Sequence, residues 1–187
     1  MKKLCIVFPG RAYTCDRSLL YFPSKVIEKY GFEICRLKIS KPIEDADKLP
    51  FEELASKMKA DFSSSLQEIK WDEYDQFVFL SKSVGTIIAS QVKAEHHDKK
   101  IDQILVTPLE DTLPYITTKD LIFCGDKDRY FPDAKAKLSN YPNGYIFPGF
   151  PHSLEDYDNY RLTIKTLLDI TTITDVYMAN LTANKLI

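Results

Sequence analysis

Six short runs of Ile, Val, Leu and Phe recur along the chain, with helical patterns between them. The runs are Leu4–Phe8, Glu33–Lys38, Gln76–Leu80, Gln103–Thr107, Asp120–Cys124 and Gly144–Phe147. A strand that is apolar on both faces has to be covered on both faces. Such strands alternating with helices specify a parallel sheet sandwiched between helical layers. The helical patterns fit this layout. Leu19, Leu20, Val26, Ile27 and Tyr30 share a face, and Gly31 is a fitting stop. Phe51, Leu54, Ala55, Met58, Phe62, Leu66 and Ile69 recur every three or four residues. Further helices are expected over 84–97, over a short stretch at 132–138, and from about Ser153 to Leu168. The Thr-rich segment Thr171–Ile187 reads either as a continuation of that last helix or as a partly ordered extension.

The chain has 187 residues, enough for one domain with a real core and hardly enough for two. One domain over 1–187 is expected, since no repeat or linker interrupts the pattern. A net charge of −2 gives no electrostatic footprint for nucleic acid or for an anionic membrane. The apolar run after Lys2 and Lys3 ends at Pro9, too short for a signal peptide, and no stretch reaches the roughly 18 apolar residues of a membrane span. Cys5, Cys15, Cys35 and Cys124 form no C-x-x-C pair and read as free thiols of a reducing cytoplasm.

One junction stands apart. The run ending at Leu80 passes through Ser81-Lys82-Ser83-Val84-Gly85 straight into a helical pattern. Strand, Ser-x-Ser-x-Gly, helix is the setting of a nucleophile elbow. The sharp turn exposes its central side chain and demands small residues two before and two after, as Ser81 and Gly85 are. The helix beginning at Val84 aims its free N–H groups at the same place. The ordinary alternative makes Ser83 an N-cap and Ser81 a turn residue.

A nucleophilic serine needs a base. His96 and His97 lie at the far end of the helix, nearly 20 Å from Ser83 at about 1.5 Å per residue. His152 follows the last strand, in a Pro/Gly-rich loop that a parallel sheet puts at the same edge as Ser83. Asp126 and Asp128 follow the fifth strand at that edge. They serve equally well as turn and cap residues or as a partner for the histidine.

With these segments the chain resembles a small α/β-hydrolase. "LSKSVGT" matches the family's elbow, "FCGDKDRYFP" its acid loop and "FPHSLED" its histidine loop. "LCIVFPGRAYT" is similar to its oxyanion loop, with Pro9-Gly10 where His-Gly is common. The resemblance implies a three-layer α/β-hydrolase fold with about six mainly parallel strands. The family's Gly-x-x-Asp-x-x-x-Pro pattern falls on Gly125, Asp128 and Pro132, which implies Asp128 as the acid and leaves Asp126 to brace the loop. It also implies Ser83 as nucleophile, His152 as base, and the backbone N–H groups of Val84 and Arg11 as oxyanion donors. Gly10, Tyr13, Lys82 and Tyr130 are the candidate substrate contacts, and Tyr130, Phe131 and Phe150 read equally as pocket walls or as side chains packed against the sheet. The Arg11 side chain reads as a surface group or as an anion contact, Lys82 as a contact to substrate or solvent, and Cys15 as a bystander.

The chain departs from the family at Ser81, where Gly is usual. The two strands that often open the fold have no counterpart, and the segment from Thr107 to Asp120 leaves no room for a lid. An esterase or thioesterase acting on a small or acylated substrate is expected, without metal or organic cofactor. Two rivals are acyl transfer to an acceptor other than water and a binding module on the same fold. Oligomeric state is not legible in the sequence.

Overall fold

The computed structural model describes residues 1–183. Six strands form one sheet: β1 (Lys3–Phe8), β2 (Glu33–Arg36), β3 (Gln76–Ser83), β4 (Ile101–Pro108), β5 (Leu121–Gly125) and β6 (Gly144–Phe147). Their order is β2-β1-β3-β4-β5-β6, and every neighbouring pair is parallel. Five helices complete the domain: α1 (Ser18–Lys29), α2 (Phe51–Gln67), α3 (Val84–Glu95), α4 (Ala134–Lys137) and α5 (Tyr160–Thr182). No helix among the described residues is long and apolar enough to cross a membrane.

The period-two geometry of strands splits the core into layers. Cys5, Val7, Val78 and Leu80 face one way and pack with Leu19, Leu20 and Ile27 of α1 and with Ile170 and Met178 of α5. Leu4, Ile6, Phe8, Phe77 and Phe79 face the other way, onto Leu54, Met58 and Phe62 of α2 and Ile88 of α3. A third cluster seats α4 through Ala134 and Leu138 against Leu105, Ile122 and Phe131. Burying a side chain such as Phe77 contributes about 2–3 kcal/mol relative to exposure.

Among the boundaries that differ from the sequence reading, three stand out. First, β3 does not stop at Leu80. Its pairing with β4 continues through Ser81↔Leu105 and Lys82↔Val106 and shifts register just before Ser83. The two serines and the lysine therefore belong to the buried end of a strand. Second, β2 ends at Arg36, two residues before the expected Lys38. Third, the last helix starts at Tyr160, not near Ser153. Leu154 has φ +55°, and Asp156 Oδ1 accepts from the N–H groups of Asp158 and Asn159, which holds the segment in turns. Asn159 then caps the helix by accepting from Leu162 N–H. Beyond Leu168 the helix runs on to Thr182, because Ile170, Thr174, Tyr177, Met178 and Leu181 line its buried face. The remainder of the C-terminal segment, 184–187, lies outside the described residues.

The connection from β4 to β5 holds one 3-10 stretch, Glu110–Tyr115, and no inserted lid. Every strand thus delivers its carboxyl end to one open edge of the sheet.

Candidate active site

Ser83 ends β3 with φ +54° and ψ −129° and immediately precedes α3. A side chain at positive φ is strained by about 1–3 kcal/mol and persists only where its surroundings enforce it. The enforcement is visible at Gly85. A Cβ there would lie 2.4 Å from the Pro9 carbonyl oxygen and 2.7 Å from that of Phe8, so only glycine lets α3 start this close to β1. Thr86 Oγ1 donates to the Ser83 carbonyl at 2.6 Å and fixes the first turn. Ser81 is fully buried, and its hydroxyl finds no partner among the described residues.

The histidine loop swings over this turn. His152 Nε2 lies 2.8 Å from Ser83 Oγ, and its Nδ1 lies 2.7 Å from Asp128 Oδ2. A carboxylate only accepts, so Nδ1 carries the proton and Nε2 is left to accept from the serine hydroxyl. The Asp128 carboxylate has no solvent exposure, and its other oxygen accepts from Tyr130 N–H at 2.9 Å. Burial pushes the imidazole below its ordinary range; Asp128 opposes the shift, and the Lys82 and Arg11 charges reinforce it. The ring is therefore neutral at pH 7. Asp126 makes no hydrogen bond to His152. Its Oδ1 accepts from Gly149 N–H at 2.6 Å and ties the acid loop to the histidine loop. Gly125 allows that tie, since a Cβ there would sit 2.0 Å from the Phe150 carbonyl oxygen.

The loop after β1 closes the other side of the turn. A Cβ on Gly10 would come 3.2 Å from Ser83 Cβ. Gly10 and Tyr13 exchange backbone hydrogen bonds, and Ala12 turns the chain at φ +52°. Val84 opens α3, so its N–H is one of the groups a helix start leaves without an intrahelical partner. Arg11 N–H has no backbone partner in the loop bonding among the described residues.

A cleft of about 500 Å³ opens over Ser83 and His152, with Arg11, Tyr13, Lys82 and Tyr130 on its walls. Gly10 instead lines an adjoining cavity of about 290 Å³ that reaches Cys15 and Ile39. The ring of Tyr130 meets His152 edge-on at 5.0 Å and Phe51 at 5.2 Å. Of the two readings for Phe131 and Phe150, packing against the sheet holds: they are buried in separate apolar clusters. The solvent alternative for Lys82 is overturned too. The side chain is buried, with Nζ donating to Thr107 Oγ1 at 2.7 Å and to the His152 carbonyl at 3.1 Å, and it lies 5.0 Å over the Tyr13 ring. Burial lowers its pKa to about 8 against the pull of Asp128 and Glu155. Cys15 donates to the Leu37 carbonyl at 3.2 Å, and burial pushes its thiol up to about 12, so it stays protonated. His96 stacks on Trp71 and His97 is exposed, both away from the cleft. Among the described residues no group of three His, Cys, Asp or Glu side chains is placed to hold a metal ion.

Sequence reasoning missed Thr107, Arg17, Lys127 and Arg129. Thr107 carries φ +44° at the end of β4 and receives the Lys82 ammonium. The other three line the cleft. The signal was available for two of them, since Lys127 and Arg129 flank Asp128 in the acid loop.

No family profile and no curated protein matches the sequence. Solved structures do match. The chain is similar to a lidless α/β serine hydrolase of Xanthomonas campestris, with TM-score 0.67, 12% identity and coverage of 95% of this chain and 81% of that one. It is also similar to an α/β serine hydrolase homologue of Coxiella burnetii, with TM-score 0.62, 16% identity and coverage of 91% and 84%. Est1E of Butyrivibrio proteoclasticus, solved with ferulic acid bound, aligns with TM-score 0.63, 13% identity and coverage of 95% and 88%. The chain has the α/β-hydrolase fold.

Proposed function

We propose that this α/β-hydrolase-fold chain is a serine hydrolase that cleaves an ester or thioester through a covalent acyl intermediate. One observation carries the reading: Ser83, His152 and Asp128 form a single hydrogen-bonded chain with links of 2.8 and 2.7 Å, opening onto a cleft. Ser83 Oγ attacks the carbonyl carbon while Nε2 of His152 takes its proton. The tetrahedral oxyanion is held by the N–H groups of Val84 and Arg11, each contributing about 3 kcal/mol. His152 then gives the proton to the leaving alcohol or thiol as the carbon–heteroatom bond breaks. Water, deprotonated by the same nitrogen, attacks the acyl-serine and releases the acid and Ser83. Asp128 keeps Nδ1 protonated and stabilises the imidazolium in both halves.

The open cleft and the absence of an insert between β4 and β5 favour a small or solvent-exposed acyl group. Free thiols at Cys5, Cys15, Cys35 and Cys124 favour a reducing compartment such as the cytoplasm.

The test is labelling with a neutral fluorophosphonate, read by peptide mass spectrometry. The reading expects one adduct on Ser83, abolished in Ser83→Ala and reduced at least about a thousandfold in rate in His152→Ala. Folded protein that stays unlabelled at concentrations that modify a control serine hydrolase would sink it and favour a binding module.

A further inference from the structure

The charge around the cleft is one-sided. Arg11, Arg17, Lys82, Lys127 and Arg129 all line it, and no Asp or Glu does. Overall composition does not explain this, because the chain carries net charge −2. Some cations elsewhere sit on carboxylates, as Lys2 does on Glu73, Lys29 on Asp175, Lys93 on Asp120 and Lys99 on Asp72, while others such as Lys38 and Lys135 do not among the described residues, but those are not gathered at one cavity. None of the five cleft cations has a carboxylate within ion-pair distance among the described residues. The nearby acids are committed or set back. Asp128 holds His152 and Tyr130 N–H, and Asp126 holds Gly149 N–H. Glu155 is near enough to act on Lys82 and Tyr13 but does not line the cleft.

The cations come from both sides of the nucleophile. Arg11 and Arg17 belong to the connection after β1, and Lys127 and Arg129 to the one after β5, with β3 between those strands in the sheet. The Arg17 guanidinium stacks 5.3 Å over the Tyr13 ring and that of Arg129 lies 4.6 Å over the Tyr130 ring. Stacking of this kind fixes the plane of a guanidinium and leaves N–H groups for bidentate binding of a carboxylate or phosphate. Like charges gathered without counter-charge raise the local concentration of anions.

We infer that the cleft selects an acyl substrate that carries an anionic group, a carboxylate or a phosphate, on its acyl chain or its leaving group. This rests on the hydrolase reading and names its substrate class.

Two matched pairs separate the sources of the anion. The mono-4-nitrophenyl ester of adipic acid against 4-nitrophenyl hexanoate places a carboxylate on the acyl chain. Acetyl-phosphopantetheine against acetyl-pantetheine places a phosphate on the leaving group. The quantity read is the ratio of kcat/KM, anionic over neutral. The ratio should reach about tenfold in at least one pair, fall several-fold in Arg129→Gln and in Arg17→Gln, and decline as salt is raised. A ratio at or below one in both pairs overturns the inference while leaving neutral-ester turnover, and the hydrolase reading, intact. A second readout does not depend on turnover: titration of Ser83→Ala protein with adipic monoamide and with phosphopantetheine, against hexanamide and pantetheine. Anion-selective binding that weakens when Arg129→Gln is added supports the site even if no ester is cleaved. Equal or absent binding of the anionic and neutral members overturns it.

Discussion

The two edges of the sheet are built differently. At the carboxyl edge every strand is followed by one non-glycine residue at positive φ: Ala12 after β1, Asp45 after β2, Ser83 at the end of β3, Thr107 at the end of β4, Asp133 after β5 and Leu154 after β6. Those are all such residues among the described ones. Among the described residues, the only positive φ at the amino edge belongs to Gly31, which adopts it at little cost. Several charges at the amino edge are paired, although Lys3, Lys100 and Lys119 there have no ion-pair partner among the described residues. Around the amino ends of β1, β3 and β4, Lys2, Lys70 and Lys99 pair with Glu73 and Asp72, and Asp120 before β5 is held by Lys93, Gln103 and Thr117 N–H. The cleft at the carboxyl edge leaves its cations unpaired and buries Lys82 beside the histidine loop. Strain and unbalanced charge both cost stability, and a fold keeps them where they serve a site. Under the proposed function, the strained edge is the one that carries the chemistry.

The sharpest break of this comparison is at Ser83. Replacing it with Gly should relieve the positive φ and raise stability by about 1 kcal/mol, while esterase turnover falls by about 10⁴-fold or more. Denaturant unfolding and steady-state kinetics on the same protein check both halves. Asp128→Asn should lower kcat by about 10⁴-fold, because an amide in place of the carboxylate favours the wrong imidazole tautomer. Gly125→Ala should destabilise the fold by about 3 kcal/mol in chemical unfolding, since the added methyl meets the Phe150 carbonyl.

Smaller effects sharpen the picture. The Lys82 charge helps hold His152 below its ordinary range, so Lys82→Met should move the acid limb of the pH–rate profile to higher pH. The sign is fixed: the base must be neutral, and without the neighbouring cation it stays protonated to a higher pH. A limb that stays put would show that Lys82 only braces Thr107 and the His152 carbonyl. Ser81→Ala removes a buried hydroxyl with no partner and should be neutral or stabilising by about 1 kcal/mol in a thermal melt.

Much of this was legible in the sequence, for physical reasons. Runs such as those around Val78 and Ile122 are apolar on both faces, which only a covered parallel strand satisfies, so sheet type and strand number followed. Gly85 marked the tight turn at the elbow. The rule that all carboxyl ends share one edge grouped Ser83 and His152 with Asp126 and Asp128, and it was the resemblance, through Gly125, Asp128 and Pro132, that implied Asp128 as the acid. What was not legible depended on partners distant in sequence. Lys82 looks like a loop residue until β4 runs alongside it and Thr107 meets its ammonium. The start of α5 at Tyr160 depends on the turns that Asp156 and Leu154 impose, and local periodicity does not register them. The one-sided charge of the cleft is invisible in a chain whose total is nearly balanced, because it arises when Arg17 and Arg129, 112 positions apart, meet over one cavity.

The central claim is that the strained edge does acyl chemistry at Ser83. Mass spectrometry of protein quenched during turnover of 4-nitrophenyl acetate tests it directly. The account predicts a single acetyl group on Ser83, formed far more slowly when His152 is replaced by Ala. Turnover with no adduct on Ser83, or with the acetyl group on another residue, would contradict it.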